Sequence, residues 1–285
     1  MPSLIDIRRR IRSVKNTQQI TKAMKMVSAA KLRRAQERVV AARPYGAMLH
    51  RVLSNVAAAA AGNEEIANSP LLKERPERRI QLILFTSDRG LAGAFNGNLL
   101  KATQRFIEER REATIELELV GRKGRDFYRR RSYAISGDHI GILNKPAYSD
   151  ASGIARRIIE RFENDEIDSV YVIYNAFKSV MSQELTVRKI LPVTAPQGEP
   201  VDYIFEQPVE QMMTSLLPKY VDVQVYTAML ETAAAEHAAR MTAMDSATSN
   251  AADVIENLTL YMNRVRQASI TREIIEVVSG ASALE

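Results

Sequence analysis

A chain of 285 residues with 46% hydrophobic composition is long enough to bury one large core or two modest ones, which excludes a globally disordered protein. Its net charge of +6 points to an acidic partner, whether nucleic acid, an anionic membrane surface or an acidic protein. Cysteine is absent, which excludes disulfides, thiolate metal sites and thiol redox control. No run reaches the roughly 18 apolar residues of a membrane span.

The opening segment is rich in arginine and poor in acids, as mitochondrial targeting peptides are. Its pattern nevertheless runs unbroken from Leu4 to beyond Val39, as a helix of the folded protein would. Apolar or small residues at Leu4, Ile7, Ile11 and Val14, resuming at Leu32, Ala35 and Val39, mark a heptad seam. Between them the seam positions are Gln18, Thr21, Lys25 and Ser28, while Ile20, Met24 and Val27 shift apolar surface to a neighbouring face. Cations crowd the same helix, from Arg8 through Lys22 and Lys31 to Arg38, opposed only by Asp6 and Glu37. Three readings fit that charge: a solvated helix face, a nucleic-acid binder, and a shaft sheathed by acidic loops. A nucleic-acid reader usually interleaves aromatics, and none precedes Tyr45.

A hinge at Pro70 to Pro76 leads to a middle block with a different grammar. Ile80 to Thr86, Ile115 to Val120, Ser169 to Tyr174 and Glu184 to Leu191 read as strands. Helices are predicted at Asn98 to Arg110, Lys123 to Arg131 and Ser149 to Phe162, an alternation that favours a mostly parallel sheet. Pro192 to Pro200 reads as a linker to the closing helix. There Met244, Ala251, Leu258 and Val265 occupy one heptad position, and Ala247, Val254, Tyr261 and Ala268 the other. The alanines between Ala233 and Ala239 carry no bulk, so a partner helix can approach closely. The terminal helices would run roughly 80 Å and 100 Å. Such long helices are marginal alone, so they are expected to pair, antiparallel.

The fold class expected is therefore α/β. It combines a long antiparallel coiled coil of the N- and C-terminal helices with a Rossmann-like α/β domain and a mostly parallel sheet. Residues 1–60 form the first coiled-coil helix, 77–193 the α/β domain and 208–285 the second helix.

Two loops invite a chemical reading. Thr86 to Gly97 carries hydroxyls, an acid and glycines, yet Gly90, Gly93 and Gly97 lack dinucleotide-binding spacing and no Lys-Ser or Lys-Thr pair makes a phosphate loop. A small nucleotide-binding enzyme and a structural turn with a helix start are the competing readings. Gly121-Arg-Lys-Gly124-Arg sits at a strand end, where backbone amides could hold an anion or simply form a basic turn. The histidines, His50, His139 and His237, lie in separate blocks, so neither a zinc site nor a catalytic relay is proposed, and no cofactor or metal is expected.

At three places the residues themselves resemble the gamma subunits of F-type ATP synthases, bacterial type. Ile11-Arg-Ser-Val-Lys-Asn-Thr-Gln-Gln-Ile-Thr-Lys-Ala-Met-Lys-Met-Val-Ser-Ala-Ala-Lys31 is similar to that family's N-terminal helix. Ala239 to Ala251, Asn263 to Glu273 and Val278 to Ala283 resemble its C-terminal signature. Thr86 to Asn96 matches its central motif, with Ala92 and Ala94 where many members have cysteine and glycine, and the chloroplast branch's regulatory cysteine insertion is missing. The resemblance implies a non-catalytic rotor stalk, one copy per complex, that couples proton flow through the membrane c ring to ATP synthesis or hydrolysis. Its implied partners are the alpha and beta subunits of the ring, the epsilon subunit and the c ring, with no nucleic acid. It implies a peripheral place on the cytoplasmic face of the bacterial inner membrane. Carried across residue by residue, it marks Lys22, Met24 and Lys25 on the first helix and Arg240, Arg266, Gln267, Thr271 and Glu273 on the last as contacts to the alpha and beta ring. Tyr203, Phe205 and Glu206 are marked as the foot near the c ring and epsilon.

Overall fold

The computed structural model describes residues 3–59, 69–194 and 208–282. Among these residues five α-helices and five strands follow in the order α1 Leu4–Ala59, β1 Arg79–Phe85, α2 Phe95–Glu109, β2 Thr114–Val120, α3 Arg122–Tyr128, β3 Ala134–His139, α4 Tyr148–Glu163, β4 Ser169–Phe177, β5 Gln183–Leu191 and α5 Val209–Ser282. Contacts divide the chain into two units, one of Met1–Ser28 with Met241–Glu285, the other Ala29–Arg240. Both long helices contribute to both units, and each carries an internal proline, Pro44 and Pro218, that removes one backbone hydrogen bond without ending the helix.

In the larger unit the sheet has the order β3-β2-β1-β4-β5. The first four of these strands run parallel and β5 closes one edge antiparallel to β4. The four predicted strands and three predicted helices of the middle block are all present. Strand β3 is an addition: its sequence, Ala-Ile-Ser-Gly-Asp-His, is mostly polar and exposed at a sheet edge, so it carries little hydrophobic signal.

Alternation along β1 sends Ile80, Leu82 and Leu84 to a face covered by α2, and Ile83 and Phe85 to the opposite face, covered by α4 and by parts of α1 and α5. Helix α4 buries Ala151, Ile154, Ala155, Ile158, Ile159 and Phe162, an apolar stripe of helical period. It stops at Asn164. Asp165 then takes a left-handed backbone (φ +56°), and the Glu166 N–H reaches back to the Arg161 carbonyl at 2.9 Å.

Where β2 meets β3 and α4, the sheet holds a buried carboxylate. Glu118 accepts from Gln81 at 3.0 Å and Ser136 at 3.1 Å, contacts His139 at 2.7 Å and pairs with Arg157. Burial alone would raise its pKa. The His139 and Arg157 interactions outweigh that and hold it below the ordinary value of 4.5. A carboxylate whose pKa is lowered on folding contributes stability above its unfolded value, and that contribution is lost as pH falls through the folded value. Glu118→Gln is expected to cost about 2 kcal/mol near neutrality by leaving Arg157 without its counter-charge. It should also flatten the acid-side loss of stability below about pH 4.5. Urea melts of both proteins across that range check both effects.

Candidate functional site

The loop after β1 is the natural place for a ligand in a parallel sheet, at the carboxyl ends of the strands. Here its polar groups are already committed. The Ser87 N–H donates to Asn96 Oδ1 at 3.0 Å, and Asp88 accepts from the backbone N–H groups of Arg122 and Gly141 and from the Asn144 amide. The first amides of α3 are taken as well. Arg122 donates to Asp88, Lys123 to the Ser87 carbonyl and Gly124 to Thr86 Oγ1. Gly121 has φ +99°, and a Cβ there would lie 2.0 Å from the Thr86 carbonyl oxygen, so only glycine fits. The turn is tied to its own chain, and the anion reading of Gly121 to Arg125 loses its donors.

The same loop is pinned to α5. Arg240, buried, donates to the carbonyls of Arg89 and Gly90 at 3.3 Å and to Glu236 at 2.6 Å. Burial pushes the Glu236 carboxyl upward, with Arg240 offsetting part of the shift. His237, between them on the helix, is held neutral by burial and by the charges of Arg240 and Lys31, its pKa pushed down to about 4. Beyond the anchored carbonyls stands Leu91, with φ +62° and 63% exposed. A left-handed leucine costs on the order of 1–3 kcal/mol and is held only when its surroundings fix it. Sequence reading did not mark Leu91, because positive φ leaves no trace in a residue's type.

In this larger unit α1 and α5 run antiparallel. His50 lies by Tyr220 with ring centroids 6.3 Å apart, Arg43 reaches Glu231 at 3.8 Å, and a Cβ at Gly46 would sit 3.7 Å from Val223. Ala233, Ala234, Ala235 and Ala238 are fully covered.

The smaller unit is the helix pair itself. Thr21 and Thr248 share a hydrogen bond at 2.7 Å, and Lys25 pairs with Asp245 at 2.5 Å, again antiparallel. The predicted first seam is observed, with Ile7, Thr21 and Ser28 buried and Leu4, Ile11, Val14, Gln18 and Lys25 half-buried. On α5 one heptad position is as predicted, Met244 and Ala251 buried and Leu258 and Val265 half-buried. The other is displaced by one residue, to Thr248, Ile255, Met262 and Ser269, leaving Val254 and Tyr261 exposed. The hydroxyls of Thr248 and Thr259 bond back to carbonyls four residues earlier, at 2.7 Å each, which lets polar residues sit at the interface.

On this register Leu4 falls opposite Val265. Residues 270–279 of α5 are exposed throughout, with Ile274 58% and Val277 71% exposed.

The sequence-marked residues divide accordingly. Lys22 is exposed and Met24 half-buried, beside the exposed Ile20 and Val27. Lys25 is engaged by Asp245. Arg266, Gln267, Thr271 and Glu273 are exposed near the end of α5, where Thr271 donates to the Gln267 carbonyl at 2.9 Å and Glu273 accepts from Ser269 at 3.3 Å. Arg240 lies in the other unit, turned inward. Tyr203, Phe205 and Glu206 lie outside the described residues. No group of His, Asp and Glu fit to hold a metal occurs among the described residues, and none of their helices is long and apolar enough to cross a membrane.

A family model described as ATP synthase matches residues 3–284. The chain is 66% identical, over the full length of both, to the ATP synthase gamma chain of Solibacter usitatus, and 51% identical, again full length, to that of Desulfitobacterium hafniense. Among solved structures it resembles a chain of the Tetrahymena thermophila mitochondrial ATP synthase central stalk and c ring (TM-score 0.59, 25% identity, covering 80% of this chain and 99% of that one). A chain of the Euglena gracilis mitochondrial ATP synthase shares the fold at TM-score 0.65 and 18% identity, covering 99% and 94%.

Two outcomes test the geometry. Because the chain has no cysteine, Thr21→Cys with Thr248→Cys should form a disulfide under mild oxidation, seen as a mobility shift on non-reducing gels, whereas Thr21→Cys with Val254→Cys should not. Arg240→Met should cost about 3 kcal/mol at neutral pH by stranding the buried Glu236 carboxylate. That loss should shrink as pH falls towards the raised pKa of Glu236, where the group binds a proton. Glu236→Gln in the same chain should restore most of it, as read by urea denaturation.

Proposed function

From the premise that this chain belongs to the ATP synthase gamma family, we propose that its paired terminal helices form the turning shaft of the complex and perform no chemistry themselves. The chain is the central stalk of a rotary ATP synthase. As rotor it couples proton flow to synthesis or hydrolysis of ATP, which takes place on other subunits. The observation that carries this reading is the lopsidedness of the helix pair. The α1 surface presents Arg8, Arg9, Arg12, Lys15 and Lys22 with the apolar Ile20 and Val27 among them, while the α5 surface presents the apolar Val254, Leu260, Tyr261, Ile270 and Ile274. Large apolar side chains exposed in that number call for covering partners.

A shaft with unlike sides makes different contacts with chemically identical neighbours, and a ligand affinity shifts only by as much as the contacts of the two states differ. In this reading each beta subunit meets a different face as the shaft turns and is biased to a different nucleotide affinity. The alpha and beta subunits surround the shaft, one copy per complex. The Ala29–Arg240 unit meets epsilon and the c ring on the cytoplasmic face of the bacterial inner membrane. Lys22, Met24, Arg266, Gln267, Thr271 and Glu273 serve as bearing and coupling contacts. Arg240 serves indirectly, fixing the loop that offers Leu91. Nucleotide binding at that loop is disfavoured because its donors and acceptors are spent on the chain's own atoms.

Reconstitution with alpha and beta subunits tests the reading. The isolated chain should not hydrolyse ATP and should co-purify with both. Met24→Lys should leave co-purification intact while lowering proton transport per ATP consumed. Full coupling in that variant would remove Met24 from the bearing, and ATP hydrolysis by the purified chain would sink the rotor reading.

A further inference from the structure

Within the Ala29–Arg240 unit, a cavity of about 330 Å³ opens between α1, the segment after β3 and α5. Lys31, Arg34 and Arg38 enter it from α1, Lys145 from the segment before α4, and His237 from α5. The ion pairs that α1 and α5 make in this unit use Arg33, Arg43 and Arg240. Lys31, Arg34, Arg38 and Lys145 form none among the described residues. Glu236, which feels Lys31, holds Arg240; Glu37 on α1 pairs with Arg33, and Asp88 accepts from two backbone N–H groups and from Asn144.

Like charges spaced three and four apart on a helix repel. Their convergence with Lys145 on one concavity is a cost to the folded chain that an anion would offset. His237 adds a donor. Its Nδ1 faces the Arg240 guanidinium at 3.5 Å, so the neutral ring carries its proton on Nε2. Guanidinium groups bind phosphoryl oxygens in pairs, and the volume lies in the range of small-ligand sites. Four cations exceed what one carboxylate can neutralise.

We propose that this cavity binds a condensed phosphate, an anion with at least two linked phosphoryl groups. Arg38 also borders an adjoining cavity of about 340 Å³, which carries Tyr45, Tyr148 and Tyr226. Tyr148 and Tyr226 meet edge-on at 5.7 Å. A base carried on the phosphate chain would find an aromatic wall there, so the phosphate has two possible sources, free diphosphate or a nucleotide.

Calorimetric titration of the full chain with sodium diphosphate is the test. One saturable site is expected, weakened about tenfold or more in the Lys31→Gln/Arg34→Gln double variant. Both positions are exposed and their charges repel, so that variant should melt at or above the parent's temperature. Arg105→Gln, on the exposed face of α2, should bind like the parent chain. ADP binding more tightly than diphosphate, with the gain lost in Tyr45→Ala, supports the site and identifies a nucleotide as the source. Equal affinity of the two supports the site and identifies free diphosphate. No saturable heat at millimolar ligand, several equivalent weak sites, or unchanged affinity in the double variant would overturn the proposal.

Discussion

Between Thr232 and Ala238 the last helix is covered on every side, and four alanines, Ala233, Ala234, Ala235 and Ala238, bring its neighbours close to its backbone. The alanines let α1 and the sheet domain approach the helix backbone together, where leucine or valine would hold them apart. Three polar residues are admitted to the same stretch, Thr232 and the ionisable Glu236 and His237. The two ionisable ones are reconciled with their surroundings differently: Arg240 pairs with the acid, while burial itself, with Arg240 and Lys31, leaves the imidazole uncharged. Close approach, the buried ion pair and the pinned loop at Arg89 and Gly90 are thus one arrangement. The presentation of Leu91 depends on it.

The helix pair of the smaller unit follows a different logic. Its seam is made of Ile7, Thr21 and Ser28 against Met244, Thr248 and Ala251, with modest apolar volume and hydroxyls that satisfy one another or the helix backbone. Such an interface contributes less by burial than a leucine seam would. Large apolar side chains are instead spent outward, at Ile20, Val27, Ile270, Ile274 and Val277. For a monomeric enzyme that allocation would be costly. For a shaft enclosed by partners it puts the adhesive surface where the partners are.

How legible this was from residues alone varied with contrast. The α1 seam could be read from Leu4 to Val39, because its apolar residues stand among cations and the polar positions between them keep the same spacing. On α5 the pattern slipped by one residue, since Val254 and Tyr261 look more core-like than Thr248 and Ser269, although it is the threonine that meets the partner helix. Strand β3 escaped notice because an edge strand of polar residues has no hydrophobic alternation. The turn from Gly121 to Arg125 offered amides for an anion, but Asp88, Ser87 and Thr86 accept from them. Arg240 was marked by resemblance as a contact to the alpha and beta ring; in the fold Glu236 and Gly90 draw its side chain inward. Nothing in the local sequence reports that, because Gly90 lies 150 residues away.

The central claim is mechanical and can be watched. With the ring of alpha and beta subunits fixed to a surface and a bead attached to the Ala29–Arg240 unit of this chain, the account predicts that added ATP turns the bead steadily in one direction, and that rotation stops when ATP is exhausted. Sustained ATP hydrolysis by the same assembly with the bead only fluctuating about a fixed angle would contradict it.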